Sequence, residues 1–376
     1  ASDTKMDINE LRSEGLYTLL AMNGSGITEM EEAPEDIQEG RAYRFEEGVH
    51  AVVPSRVPSA GGVPLRIEAF GLSTAQNERN YTVLFSVIDD AETALTDSED
   101  ARAAVDVMAF SPDELQLIAP RWGDLYPAET GLYLYVFHGN KSLKTPQGYT
   151  LRFDFGAVWS ELAASRGPAE QGTLVTVRGA GFDTEGTINY TCRFVDVSNT
   201  SKIALSQSVQ VVNSSELVCS TSEWEYVQAL TNMSLLADGV PIDYQGSDSA
   251  NFFMVQSFSE IDTSVGPATG GTPLTISGAG FNVNGTSYNC TFTGLTTSKR
   301  AVTNATALDR NTIMCVTPHW NATAEDTVVG IEGSNNDALF SGAERNGSYF
   351  TITAGWSQVD PNPALSAGGV SVTVTA

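Results

Sequence analysis

The stretch GPATGGTPLTISGAGF, Gly266 to Phe281, decides the fold. Gly270 and Gly271 suit a tight corner with positive φ. From Thr272 to Ser277 apolar and polar residues alternate, with Leu274 and Ile276 on one side and Thr275 and Ser277 on the other. That period of two predicts a half-buried strand. Gly278 and Gly280 break it, and Phe281 is placed to fold back as a core plug. The phrase recurs as GPAEQGTLVTVRGAGF at Gly167 to Phe182, SAGGVPLRIEAFGL at Ser59 to Leu72, and SAGGVSVTVTA at Ser366 to Ala376. The aligned glycines Gly62, Gly172, Gly271 and Gly369 set a period of about 100 residues, one small domain each.

These motifs resemble the IPT/TIG family, the immunoglobulin-like domain shared by plexins and certain transcription factors. The family pattern is a Pro, a Gly-Gly-Thr, an alternating strand and Gly-x-Gly-Phe. The third copy carries all of it and the second nearly all. The first departs, with Phe70-Gly71-Leu72 in place of Ala-Gly-Phe. The resemblance covers nearly the whole chain and implies an all-β fold of tandem immunoglobulin-like β-sandwiches. It leaves activity open, because such modules serve as spacers, receptor stalks, dimerisation units and enzyme accessories.

Length and patterning fit three sandwiches, with incomplete domains at both ends. The expected domains are 49–155, 156–256 and 257–354. Residues 1–48 read as the C-terminal half of a further sandwich, because Gly15-Leu16-Tyr17 recurs as Gly131-Leu132-Tyr133 and Arg41 to Phe45 resembles the closing Gly148 to Phe153. A helix over Met6 to Leu20 is the competing reading. Residues 355–376 read as the opening strand of another copy. Val49, Trp159, Phe258 and Trp356 each stand thirteen positions before the aligned glycine and are expected to pack at the joints between domains. No Pro/Ser-rich linker separates the copies, which suggests a stiff rod. Asp89 to Ala104 reads as a polar insertion.

The formal net charge is −26, from 46 acidic and 20 basic residues. Nucleic acid needs a cationic surface, so it is excluded as a partner, and with it the transcription-factor role. The acidity reads as a solvated surface, and no spaced acidic loop of the helix–loop–helix calcium type occurs. No run of 18 apolar residues is present, so no transmembrane segment is expected in this chain. The start at Ala1-Ser2-Asp3 reads as a processed N-terminus.

Asn-x-Ser/Thr sequons begin at Asn23, Asn80, Asn140, Asn189, Asn199, Asn213, Asn232, Asn284, Asn289, Asn304, Asn321 and Asn346. About four would arise by chance, so the set points to covalent N-glycans and the secretory pathway. Asn289, beside Cys290 on a central strand, is the weakest candidate. Cys192 and Cys219 lie 27 residues apart, and Cys290 and Cys315 lie 25 apart at the matching places of the next repeat. Repeat symmetry selects these two intradomain disulfides among three pairings. Zinc is the alternative, but no histidine is near and no Cys-x-x-Cys occurs. In the first copy Val83 and Leu117 take the cysteine positions.

Catalytic, metal and cofactor sites are not expected. His50, His138 and His319 have no partner constellation, and no nucleophile elbow, His-Glu-x-x-His or phosphate loop occurs. Carboxylates abound, but the repeats offer no cleft for a glycosidase-like pair. Trp122, Trp224 and Trp320 could stack on sugars, but their recurrence favours packing. Function is therefore expected to be that of an extracellular structural glycoprotein at the cell surface. The alternatives are an adhesion or receptor ectodomain fragment that binds a protein or glycan, and accessory domains of a carbohydrate-active enzyme. A slice of a longer repeat chain would explain the two ends. So would a homopolymer, in which the C-terminal strand of one molecule, with Val370, Val372 and Val374 as candidate assembly residues, completes the N-terminal half-sandwich of the next.

Overall fold

The structure, a computed structural model, describes residues 21–23, 26–28, 46–96, 103–146, 148–284, 287–333, 340–341, 349–356, 358–362 and 368–375. The fold is all-β, and the one α-helix among the described residues is Ala91–Thr96.

The second sandwich shows the plan. In one sheet Leu174–Ala180 lies between Val158–Leu162 and Glu216–Thr221, antiparallel to both. In the other, Ala229–Ala237 lies between Tyr190–Asp196 and Asn251–Val255. Arg166–Pro168 runs parallel to Asn251–Val255 and brings the opening segment to the closing strand. Ile203–Asn213 serves both sheets, its first part beside Tyr190–Asp196 and its second beside Glu216–Thr221. Alternate residues of each strand meet between the sheets: Val175 and Val177, Cys192 and Phe194, Leu217 and Cys219, Met233 and Leu235, Phe252 and Met254. Strand pleating puts every second side chain on the inner face, which is why the sequence alternates.

The third sandwich repeats this plan with Ser257–Ile261, Pro273–Ala279 and Thr312–Val316 opposite Tyr288–Gly294, Asp326–Glu332 and Tyr349–Thr353. Leu274, Ile276 and Phe281 are fully buried in its core, as their alternation requires. The corner is real: Gly270 and Gly271 have φ of 72° and 82°. A Cβ on Gly270 would sit 2.5 Å from the Pro318 backbone, so a larger residue is refused on space as well as angle.

The first sandwich has the same order, with Gly48–Val53, Pro64–Phe70 and Glu114–Ile118 in one sheet. Val83 and Leu117 are buried where the later copies carry cysteine. The insertion after Ser86 is not wholly irregular. The Asp90 carboxylate accepts from Thr93 N at 2.8 Å and caps the helix Ala91–Thr96. Ala94 then packs on Leu84, Tyr135 and Phe137. One small apolar contact is too little signal to read as a helix from sequence.

Two features depart from expectation at the domain starts. Trp159 and Phe258 do not form the joints; each is buried in the core of its own sandwich. The joint between the second and third sandwiches is polar instead. Gln228 N donates to Gly280 O at 3.1 Å, Arg310 Nη1 to Glu225 O at 2.8 Å, and Asn311 Nδ2 to a Glu223 carboxylate oxygen at 2.9 Å. Ala279 of the third sandwich also joins the second core. The short segment Trp122–Ala128 groups with these two sandwiches, where Ala128 N donates to Gly181 O at 2.8 Å.

Candidate assembly and glycosylation sites

A buried tyrosine holds each sandwich at the start of its central strand. Tyr81, Tyr190 and Tyr288 accept, through their hydroxyls, from the backbone N–H of Ser73, Asp183 and Asn282 at 2.7, 2.9 and 2.8 Å. Burial, with the neighbouring Glu47 carboxylate, pushes the Tyr81 phenol well above its ordinary pKa. Among the described residues, only the first copy adds a carboxylate and an imidazole bonded in this way: Tyr81 donates to Glu47 at 2.8 Å, and His138 Nδ1 lies 2.8 Å from the other Glu47 oxygen. Glu47 and His138 are 91 residues apart, and sequence reading did not pair them. Beside the central strands, Cys192 is bonded to Cys219 and Cys290 to Cys315, with Cα atoms 6.2 and 6.5 Å apart.

The last hairpin is an opening hairpin in the register of the complete copies. Gln358 faces Thr375 and Val359 faces Val374, as Glu260 faces Ser277 and Ile261 faces Ile276. In the complete copies the second of these strands pairs with a third, such as Thr312–Val316 beside Pro273–Ala279. Among the described residues Thr373–Thr375 has no such neighbour. The consequence is exposure. Leu274 and Ile276 are fully buried, whereas Val372 and Val374 are 51% and 57% exposed. Val370 is exposed as well, and so is Trp356 at the position where Trp159 is buried. Sequence reading named the valine strand but missed its partner Gln358–Asp360, whose only apolar residue is Val359.

Most of the N-terminal segment lies outside the described residues, including the competing helix at Met6 to Leu20 and the closing stretch Arg41 to Phe45. The part described is a hairpin of Ala21–Asn23 with Gly26–Thr28. Similar short hairpins join His138 to Lys141 and Ala237 to Val240 at the ends of the long strands Glu129–His138 and Ala229–Ala237. Asn23 ends the first strand of its hairpin, and Asn140 lies in the turn between His138 and Lys141.

The asparagines at 80, 140, 189, 199, 213, 232, 284, 304 and 321 are exposed. Asn289 is half-buried and directly opposite Asn304 on the neighbouring strand. Asn346 lies outside the described residues. Asn199 and Asn213 are held in turns where the sequon serine donates both its N–H and its hydroxyl to the asparagine oxygen, the hydroxyl bonds being 2.7 and 2.9 Å.

Trp122, Trp224 and Trp320 are buried, and their indole N–H groups donate to the carbonyls of Pro127, Val227 and Thr323. Their rings are packing elements, not exposed stacking platforms. His319 Nδ1 lies 3.2 Å from Ala268 O, and His50 is exposed. No group of three or more His, Cys, Asp or Glu residues able to hold a metal occurs among the described residues. No helix among them is long and apolar enough to cross a membrane.

The strands define tandem immunoglobulin-like β-sandwiches. The IPT/TIG domain family model matches residues 159–254 and 257–345, and the chain is a tandem IPT/TIG-domain protein. No curated protein matches it. Among solved structures, the full extracellular region of plexin A4, domains 1 to 8, matches with 16% identity and a TM-score of 0.23, over 84% of this chain and 35% of that one. A tetra-tandem repeat in the extending region of a large adhesion protein matches with 10% identity and a TM-score of 0.22, over 84% and 76%. The FN1–FN3 domains of chicken CNTN1 match with 8% identity and a TM-score of 0.21, over 78% and 96%. The chain spans about a third of the plexin chain it matches.

Proposed function

We propose that this is an extracellular, non-catalytic structural glycoprotein whose copies join head to tail by β-strand complementation into a rod or filament. The observation that carries the reading is the last hairpin: the register of an opening hairpin, with its inward-type valines 51% and 57% exposed. An exposed apolar hairpin with an open edge seeks both a third strand and a facing sheet. Backbone hydrogen bonds along the Thr373–Val374 edge supply affinity, and alternate valines supply the packing. The N-terminal segment, whose sequence repeats the closing strands, is the proposed acceptor. Such a contact is heterologous and propagates without closing.

Two disulfides and the excess of sequons support an oxidising, secretory route. The exposed asparagines spread the expected glycans over all three sandwiches. Sedimentation of the purified protein beside its Val374→Asp variant tests the assembly reading. Large species in the parent and monomers in the variant support it; equal behaviour contradicts it.

A further inference from the structure

In the first and third sandwiches the strand that starts at the buried tyrosine stays paired along its length with its outer neighbour. Asn80–Ser86 is joined to Ala103–Met108 from Asn80 opposite Met108 to Phe85 opposite Ala103. Tyr288–Gly294 is joined to Arg300–Ala307 from Tyr288 opposite Ala305 to Thr293 opposite Arg300. In the second sandwich the same register stops early. Arg193, Phe194 and Val195 face Leu205, Ala204 and Ile203, and there the pairing ends. Cys192 N donates instead to the Ser206 hydroxyl at 3.0 Å. From Ser206 onward the neighbour leaves to pair with Glu216–Thr221.

A groove of about 430 Å³ lies where the two strands part. Ile188, Val209 and Val211 line it and pack on the core beneath, and Thr191, Ser206 and Ser208 bring hydroxyls to it. Asn189 also lines it, exposed, as the first residue of the sequon Asn189-Tyr190-Thr191. Tyr190 is buried, so pleating sets Asn189 and Thr191 together on the outer face.

A pyranose ring has an apolar C–H face and a rim of hydroxyl groups. The groove is mostly polar, with a small apolar patch from Ile188, Val209 and Val211, so it offers hydroxyl partners to the rim and a limited apolar contact to the face. We propose that the groove seats the first N-acetylglucosamine residues of the protein's own glycan on Asn189. The sugar then takes the place of the departed strand and covers an edge that would otherwise invite another chain. The inference rests on the reading of the protein as an N-glycoprotein. The first sandwich supplies a control in the same molecule. Asn80-Tyr81-Thr82 is the same tripeptide, but its strand is fully paired there, so its glycan has no groove to enter.

The test is amide hydrogen exchange over residues 188–191 and 206–211 in the glycosylated protein. The comparison is with N189Q and T191A, which remove the sequon in different ways, and with T191S, which keeps it. Exchange about tenfold faster in N189Q and T191A is expected, equivalent to about 1.4 kcal/mol of local protection, with T191S like the parent. Exchange over residues 80–85 should not respond to N80Q. Under native conditions an amidase should release the Asn80 glycan before the Asn189 glycan. Unchanged exchange in both variants, with Asn189 occupied in the parent, overturns the seating while leaving the glycoprotein reading intact. A bare Asn189 beside occupied Asn80 and Asn199 overturns it too. Bare asparagines at every sequon overturn both.

Discussion

Val359 and Val374 face each other across the last hairpin in the register that sets Ile261 opposite Ile276. Ile276 is fully buried and Val374 is 57% exposed. The two pairs share a backbone arrangement and differ in what covers them. A third strand and a facing sheet bury Ile276, and neither covers Val374 among the described residues.

Trp159 and Trp356 occupy one position of the repeat, with opposite exposure, and should respond oppositely to truncation. Trp159→Ala empties a core site and should cost about 3–5 kcal/mol of stability. Trp356→Ala should change stability by less than about 0.5 kcal/mol, since the ring is 66% exposed. The same substitution should weaken assembly, if the ring is buried when copies join. Chemical denaturation and sedimentation read the two effects separately.

Reduction should divide the molecule. Loops of 27 and 25 residues are closed by the two bridges, each worth about 3–4 kcal/mol on the chain-entropy model. The second and third sandwiches should lose stability in reductant, and the first, with Val83 and Leu117 in place of cysteine, should not. Hydrogen exchange resolved by domain checks this. Free thiols or a cross-domain bridge in non-reducing peptide maps would refute the pairing.

Acid should weaken the second sandwich through Asp183. Burial raises its pKa, but donors from Ile188, Glu185 and Thr187 outweigh burial and hold the carboxyl below its usual range. A depressed folded pKa adds stability that is present above the unfolded value of about 3.9 and is lost as pH falls through the folded value. Denaturation midpoints should therefore drop on acidification below about pH 4. Asp183→Asn should be about 1–3 kcal/mol less stable at pH 7 and flatter across that window. A variant with the parent's pH dependence would assign the acid response elsewhere.

Glycan occupancy should follow exposure. Glycopeptide mass spectrometry should find the exposed sequons mostly occupied and Asn289 least, because it is half-buried and shares its place on the sheet with Asn304. Mostly bare asparagines would count against the secretory route.

Strand alternation carried most of the fold into the sequence. Leu274 and Ile276, Val175 and Val177, and the recurring corner glycines announce the module because each repeats a local requirement of backbone or burial. What was hidden depends on partners distant in sequence. The polar joint joins Gln228 to Gly280 and Arg310 to Glu225; Gly280 recurs as a turn glycine, but nothing local marks Gln228, Glu225 or Arg310 as its partners at a joint. Trp159 and Phe258 look like joint residues because they begin each copy, yet backbone pairing with Gly179 and Gly278 turns them into their own cores. The groove beside Asn189 follows from a register that stops early, which composition does not reveal.

The most direct measurement of head-to-tail complementation is electron microscopy of the full chain beside a chain lacking residues 366–376. The full chain should form filaments and the truncated chain isolated particles with the same melting behaviour in its three sandwiches. A peptide of residues 366–376 added in excess should shorten the filaments by capping acceptors. Filaments formed equally by the truncated chain, or a full chain that stays monomeric at high concentration, would contradict complementation.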